Sequence, residues 1–306
     1  MNMDWETVTP QPSELGESPF WHPMERLLYW VDIPARKILR TQPGSGTPQS
    51  WAMPGEPGCI APAVGGGLVI ALRDGIYRAR EWAGPLHLLH PAVHDTTTTR
   101  FNDGKADALG RFWVGTIFEP RTVAAAELFM LDCRNQGVTT LKRMAGNATV
   151  ANGLGWSPDN TCLYWSDTKA HVIRAWDWDA AANTMANQRV FQSFAQKPDG
   201  WQSGMGGYGG RPDGAAVDAL GNYYAAMFEG ARLLKFAPGG ELLAEIPTPA
   251  QCPTMPCFGG DDLRTLFITT ARENRPANEL ARFPQSGHVF SMRVDTPGLP
   301  VNFFRD

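Results

Sequence analysis

Six short apolar runs recur along this chain, and few folds are open to a sequence built that way. They are Leu27-Leu28-Tyr29-Trp30, Leu68-Val69-Ile70-Ala71, Phe112-Trp113-Val114-Gly115, Leu163-Tyr164-Trp165, Tyr223-Tyr224-Ala225-Ala226 and Leu266-Phe267-Ile268-Thr269. Each is aromatic or aliphatic and too short for a core helix, so each reads as a buried strand. A second strand-like segment follows, as in Lys37–Arg40, Gly75–Arg78, Val172–Trp176, Leu233–Phe236 and His288–Ser291, with turn clusters such as Pro238-Gly239-Gly240 between pairs. The units repeat at roughly 40 to 60 residues, the period of a radially repeated β-fold. No segment sustains a helical period over three turns. The expected fold is all-β, a six-bladed β-propeller in which residues 1–306 form a single domain.

Composition narrows the partners. With 27 Lys and Arg against 31 Asp and Glu, the formal net charge is -4, which gives no basic footprint for nucleic acid. The 32 Gly, 25 Pro and 11 Trp suit many turns and large buried side chains. Residues 1–12 carry no basic segment followed by an apolar one, and no apolar run approaches the ~18 residues of a membrane span, so no membrane association and a cytoplasmic location are expected. The five cysteines, Cys59, Cys133, Cys162, Cys252 and Cys257, are odd in number and scattered, which reads as reduced thiols; Cys252 and Cys257 are the pair spaced for a bridge. A propeller needs no partner for its stability, so a monomer is expected.

The register of the six units says more. Counting thirteen residues back from the end of each apolar run gives Glu17, Gly58, Asn102, Asn152, Asp213 and Pro256. Four of these six bear a side-chain carboxylate or carboxamide. Asn-Gly and Asp-Gly are ordinary turn pairs, but turn chemistry does not explain Glu17 or the common phase. In a radial fold equivalent positions lie on a ring around the axis, so the four side chains are expected to converge at the mouth of the central channel. Two carboxylates and one or two amides, without His or Cys, form a hard oxygen site suited to Ca²⁺, Mg²⁺ or Mn²⁺; a catalytic Zn²⁺ or Fe²⁺ stays open. Such an ion with free coordination positions supports hydrolytic chemistry.

The phrases Gly16-Glu-Ser-Pro-Phe-Trp, Arg100-Phe-Asn-Asp-Gly-Lys-Ala-Asp, Asn152-Gly-Leu-Gly-Trp-Ser-Pro-Asp, Pro212-Asp-Gly and Cys257-Phe-Gly-Gly resemble, in order, the motifs of the SMP-30/gluconolactonase/LRE (regucalcin-like) family. The resemblance runs from about Ser13 to Arg293. It implies a six-bladed propeller with one divalent metal in the channel, ligated by Glu17, Asn152 and Asp213. Asn102 would lie beside the metal, and Arg100 would bind substrate hydroxyls or carbonyl. Glu119 is the nearest match to a glutamate that touches substrate in some relatives. The implied reaction is hydrolysis of a small-molecule sugar lactone, with the metal polarising the carbonyl and Asp213 as candidate general base; a metal-bound hydroxide is the competing route. Arg100 and Asn102 offer several donors in fixed geometry, which suits a polyhydroxylated substrate.

One stretch departs from the family pattern. Asp199 to Arg211, Gly-rich and carrying Trp201 and Tyr208, is longer than in most relatives and is expected to form a lid whose aromatic rings stack on a sugar. Other motifs carry little. Gly204-Met-Gly206-Gly-Tyr-Gly209 spells a dinucleotide fingerprint, but Arg211-Pro212 follows where a helix is needed. His87, His90 and His94 are interrupted by Pro91. Asp32 and Asp167, each fifteen residues after a ring position, read as strand-end turn residues. No Gly-x-Ser-x-Gly elbow is present. Two further readings compete with the lactonase: a metallohydrolase of organophosphates or other lactones on the same scaffold, which would be indifferent to Arg100, and a non-enzymatic calcium-binding propeller, which would bind metal without turnover.

Overall fold

The computed structural model describes residues 4–135 and 137–306. After a short strand β1 (Glu6–Thr7), the chain winds through blade one as β2 (Gly16–His22), β3 (Leu27–Asp32), β4 (Lys37–Thr41) and β5 (Gln49–Ala52). Blade two is β6 (Pro57–Pro62), β7 (Leu68–Leu72), β8 (Gly75–Ala79) and β9 (His87–Pro91), and blade three is β10 (Thr99–Ala106), β11 (Phe112–Phe118), β12 (Ala126–Asn135) and β13 (Val138–Ala148). Blade four comprises β14 (Ala151–Trp156), β15 (Cys162–Asp167), β16 (Val172–Asp179) and β17 (Thr184–Ser193); blade five comprises β18 (Arg211–Val217), β19 (Tyr223–Phe228), β20 (Arg232–Phe236) and β21 (Leu242–Pro247). Blade six holds β22 (Pro253–Gly259), β23 (Thr265–Thr270) and β24 (Phe290–Arg293), with one helical turn and a half, α1 (Ala277–Arg282), before its last strand. Its fourth strand is β1, so the N-terminal segment closes the ring.

All six apolar runs form the second strand of a blade, and the segments after them form the third. In blade six the third strand starts at Phe290, two residues later than the sequence reading. Burial falls from axis to rim. Strands β2, β6, β14 and β22 are buried along their whole length, whereas β5 and β17 are largely exposed. This is the geometry of sheets packed face to face around an axis, with clusters of buried side chains between neighbouring blades. Among the described residues no helix is long and apolar enough to cross a membrane, and all five cysteines, Cys252 and Cys257 included, are free.

Asp32 and Asp167 do the same job in different blades. The Asp32 carboxylate accepts from the backbone N–H of Glu14 and Leu15 at 3.0 and 3.2 Å, and that of Asp167 from Thr149 and Val150 at 3.1 and 3.2 Å. Each holds the chain where it enters its own blade's innermost strand and so fixes the residue that follows on the axis.

Every innermost strand carries a β-bulge, at Glu17/Phe20, Pro57/Cys59, Phe101/Gly104, Asn152/Gly155, Pro212/Ala215 and Pro253/Met255. A bulge lets two residues oppose one and re-aims side chains out of the alternating pattern. Glu17, Gly58, Asn102, Asn152 and Asp213 all lie at or inside these bulges. In blade six the bulged residue is Thr254, not the expected Pro256, which pairs with Ile268 inside the ladder. The same displacement is visible in the sequence as a count of fifteen rather than thirteen residues from Thr254 to the end of the apolar run.

Gly58 is glycine for a packing reason. A Cβ there would lie 2.6 Å from the Phe101 carbonyl carbon and 3.0 Å from the Asn102 nitrogen, inside the strand that carries Asn102. Backbone cannot give way as a flexible side chain can. Gly58→Ala is therefore expected to destabilise the fold by about 1–3 kcal/mol, read as a fall in the midpoint of thermal or denaturant unfolding; an unchanged midpoint would contradict the packing argument.

Candidate active site and metal centre

The bulges bring three polar side chains of the ring, together with Arg100, into one hydrogen-bonded line. Arg100 Nη1 donates to Asn102 Oδ1 at 2.8 Å and to the Phe101 carbonyl at 2.9 Å. Asn102 Nδ2 donates to Asn152 Oδ1 at 2.9 Å and to the Ala151 carbonyl at 2.8 Å. Asn152 Nδ2 in turn donates to Thr168 Oγ1 at 2.8 Å and to Asp213 Oδ1 at 2.5 Å. Glu17 enters from blade one, its carboxylate accepting from the Ser18 N–H at 3.3 Å. Ser18 sits in the left-handed region at φ 50°, the place Gly153 takes after Asn152 at φ 61°. The sequence-derived residues Glu17, Arg100, Asn102, Asn152 and Asp213 are thus brought together, all of them buried.

The electrostatics are unusual. Glu17 and Asp213 are 8% and 6% exposed, yet among the described residues neither is in ion-pair contact with a Lys, Arg or His. Burial raises the Glu17 carboxyl well above its ordinary range, and the charges of Asp213 and Asp103 raise it further. Burial likewise pushes Asp213 up to about 8, against the opposing charge of Arg211. Two buried carboxyl groups that repel each other and have no ion-pair partner in contact are suited to receive positive charge. With the Asn102 and Asn152 carboxamides beside them, the donors are all oxygen and fit a hard divalent cation. Among the described residues no three His, Cys, Asp or Glu side chains cluster into a cation site; here the two carboxylates are completed by amides.

Glu119 lies outside the ring. It follows β11 at the channel mouth, where its oxygens accept from Arg73 Nη1 and Nη2 at 2.9 and 2.8 Å and stand 3.7 Å from Arg100 Nε. Arg73 also reaches Glu56 at 2.5 Å, so Glu119 belongs to a mouth-side charge chain that steadies Arg100. The 199–210 loop is fastened down. Trp201 is 9% exposed, its ring edge meets Tyr208 at 5.1 Å, and its Nε1 donates to the Met205 carbonyl at 3.0 Å. Tyr208 bonds His171 Nε2 at 2.8 Å, and Ser203 donates to Gln251 at 3.0 Å. The expectation of a Trp201 ring offered to a sugar is not met, because that ring is spent on holding the loop. His87 and His90 lie along β9, and His94 packs on Phe101 at 4.7 Å without forming a cluster with them.

Two residues that sequence reasoning left without a role stand on the axis. Asp103 accepts from Leu154 N–H at 3.0 Å through Oδ2, while its buried Oδ1 has no hydrogen-bond partner among the described residues. Lys105 donates to the Ala215 carbonyl at 2.6 Å, and its charge partly offsets the burial that raises Asp103. Both sit in the quoted phrase Asn102-Asp-Gly-Lys, and their spacing put them on the same strand. Deeper along the channel a cavity of about 260 Å³ is lined by Trp21, Lys105, Trp156, Met255, Phe258 and the C-terminal Leu299.

The raised carboxyls give a signed pH dependence. A carboxyl whose folded pKa lies above its unfolded value favours folding while protonated, and that contribution is lost as pH rises through the folded value. For Asp213 the window runs from about its ordinary 3.8 up to about 8. In chelator-treated protein, Asp213→Asn is expected to gain thermal stability relative to the parent as pH rises from 5 to 8. A difference that stays flat across that range would contradict the burial of an unpaired carboxyl.

Comparison with known proteins agrees with this geometry. The family model described as SMP-30/Gluconolactonase/LRE-like region matches residues 15–272. A Pseudomonas putida protein named 6-deoxy-6-sulfogluconolactonase is 41% identical over 304 residues, covering 99% of each chain. Regucalcin of Danio rerio is 33% identical over 303 residues, covering 96% of each. Among solved structures, the calcium-binding protein regucalcin from Agrobacterium tumefaciens superposes with a TM-score of 0.87 at 24% identity, over 98% of this chain and 97% of that one, and shares the fold. The chain belongs to the SMP-30/gluconolactonase/LRE-like family.

Proposed function

We propose that this protein is a divalent-metal-dependent lactonase that opens sugar-acid lactones, with the cation held by Glu17, Asn152 and Asp213. The observation that carries the reading is the pair of buried, unpaired carboxylates Glu17 and Asp213 joined through Asn152 and Asn102 to Arg100. The names of the relatives support the substrate class, and that of the Pseudomonas putida relative specifies a gluconolactone bearing a sulfonate on C6.

A bound dication supplies Lewis-acid polarisation of the lactone carbonyl and neutralises the two carboxylates. The remaining work falls to the chain. Arg100 presents to substrate hydroxyls the guanidinium N–H groups not engaged by Phe101, Asn102 and Glu119, and orients the ring; Asn102, whose amide hydrogens go to Asn152 and the Ala151 carbonyl, holds Arg100 for this together with Glu119. Asp213 accepts a proton from the attacking water as its oxygen bonds to the carbonyl carbon. The bond from that carbon to the ring oxygen then breaks, the ring oxygen takes up the proton that Asp213 received, and the open-chain acid leaves. Positive charge beside Asp213 brings its carboxyl down from about 8, so that it is ionised and able to act as base near neutral pH.

The test is acid release from a panel of pentono- and hexono-lactones, using protein stripped by chelator and reloaded separately with Ca²⁺, Mg²⁺, Mn²⁺, Zn²⁺ or Fe²⁺. Turnover is expected only in reloaded protein, and Asp213→Ala is expected to lower it roughly 10²- to 10⁴-fold. Arg100→Met is expected to raise KM more than it lowers kcat, since it removes donors that bind substrate before and during the reaction. Tight metal binding without hydrolysis of any lactone would favour the non-enzymatic propeller. Hydrolysis of organophosphates with indifference to Arg100 would favour the other metallohydrolase.

A further inference from the structure

The end of the channel away from the candidate metal centre is built differently. Strands β2, β14, β18 and β22 run from the ring toward it, and four residues beyond Glu17, Asn152, Asp213 and Thr254 stand Trp21, Trp156, Val217 and Phe258. At about 3.3 Å per residue these positions lie roughly 10–13 Å from the ring. They wall the cavity of about 260 Å³, and Met255 and Leu299 add to its apolar lining. Among the described residues that line it, Lys105 from β10 is the one charged side chain, and no carboxylate joins it.

The C-terminal segment roofs this cavity. Gly298 pairs with Asp218 just after β18, and the Leu299 N–H donates to the Val217 carbonyl at 3.3 Å, which ties the segment to blade five. Phe304, fully buried, pairs with Ala63 just after β6 and donates its N–H to the Pro62 carbonyl at 2.8 Å, which ties it to blade two. In a ring of six, blades two and five face each other across the axis. The chain between the two ties therefore crosses the channel end as a strap, and Leu299, Pro300, Val301 and Asn302 all line the cavity.

Two donors among the lining residues are not fully used. Lys105 Nζ makes one hydrogen bond, to the Ala215 carbonyl at 2.6 Å, and no ion pair among the described residues, so the other ammonium hydrogens are unspent. Trp156 packs edge-on against Trp113 at 5.7 Å, and its buried Nε1 has no partner among the described residues, whereas Trp113 Nε1 donates to Asp107 at 2.8 Å. A buried N–H and a desolvated ammonium both call for an acceptor. Water would serve them, but it gains nothing from walls of Trp, Phe, Met and Leu. A ligand with an apolar body and an anionic end uses both features. Size limits it further. An apolar cavity of about 150 Å³ admits a benzene ring, so one of about 260 Å³ admits a single ring with a short acid-bearing arm.

We propose that this cavity is a second binding site, taking a small monocarboxylate with one aromatic ring, whose carboxylate pairs with Lys105 while its ring lies among Trp21, Trp156 and Phe258 beneath the C-terminal strap. The site lies apart from the axial ring of Glu17, Asn152 and Asp213 and does not depend on the lactonase reading.

The experiment is calorimetric titration of the chelator-treated chain with phenylacetate, its neutral isostere phenylacetamide, and gluconate. Chelation keeps a carboxylate from being captured by a cation on the axis. Phenylacetate is expected to bind more tightly than either of the others by about tenfold or more, the effect of one charge-assisted contact. Lys105→Met is expected to erase the preference for phenylacetate over phenylacetamide. Leu299→Trp, which fills the space under the strap, is expected to abolish binding of both. Crystals of the parent soaked in 4-iodophenylacetate locate the site without any variant, and one anomalous iodine peak is expected between Trp156 and Leu299. Absence of phenylacetate binding, equal affinity for the acid and the amide, tighter binding of gluconate, or an iodine peak elsewhere overturns the proposal. Each of these results leaves the lactonase reading standing.

Discussion

Two carboxyl groups buried on the axis without an ion-pair partner among the described residues set the terms for the rest of this molecule. Taking an ionised carboxylate out of water without a partner costs on the order of several kcal/mol, and Glu17 and Asp213 meet that cost together, each within reach of the third buried acid, Asp103. The surrounding design limits the damage. Asn152 turns a donor to Asp213, Ser18 offers its N–H to Glu17, and the charge of Lys105 partly offsets the burial of Asp103. None of these places a positive group in contact with Glu17 or Asp213. The proposed cation would answer that arrangement, and two of the strands that create it, β2 and β14, are buried along their whole length and clamped by Asp32 and Asp167 where they enter their blades.

The bulges turn that scaffold into a site. Regular alternation would send successive side chains toward one neighbouring blade and then the other, leaving the axis to backbone. One extra residue per innermost strand breaks the alternation at the same height in every blade. Where the residue must be small, as at Gly58 against the Phe101 backbone, the ring gives up a ligand so that the neighbouring strand can bring Asn102 close. In blade six the buried Thr254 fills the place, donating to the Gly16 carbonyl at 2.5 Å and so tying the last blade to the strand that carries Glu17. Closure of the ring and placement of Glu17 are coupled through that contact.

Much of this was legible in the sequence, and the reason is burial. The second strands were found because they are apolar on both faces, and the ring because equivalent positions in a radial repeat keep a constant distance from them. The fourth strands were not found: β13 and β17 are polar and exposed along most of their length, so their composition is that of loops. The count missed Thr254 because two additional residues separate its bulge from the apolar run. Trp201 misled for a physical reason as well. An aromatic in a Gly-rich segment serves equally to grip a ligand or to pin its own loop, and only the contacts to Tyr208 and Met205 decide between these. Asp103 carried no separate signal, because a carboxylate next to Asn102 in a turn-like phrase looks like turn chemistry until its burial is seen.

The account stands or falls on whether the axis holds a cation through oxygen alone. Anomalous diffraction from crystals of the full chain loaded with Mn²⁺, collected at the manganese absorption edge, tests this most directly. The expected result is one strong anomalous peak in the channel within bonding distance of oxygens of Glu17, Asn152 and Asp213. A channel with no such peak, or an ion held elsewhere while the Asn152 amide still donates to Asp213, would contradict it.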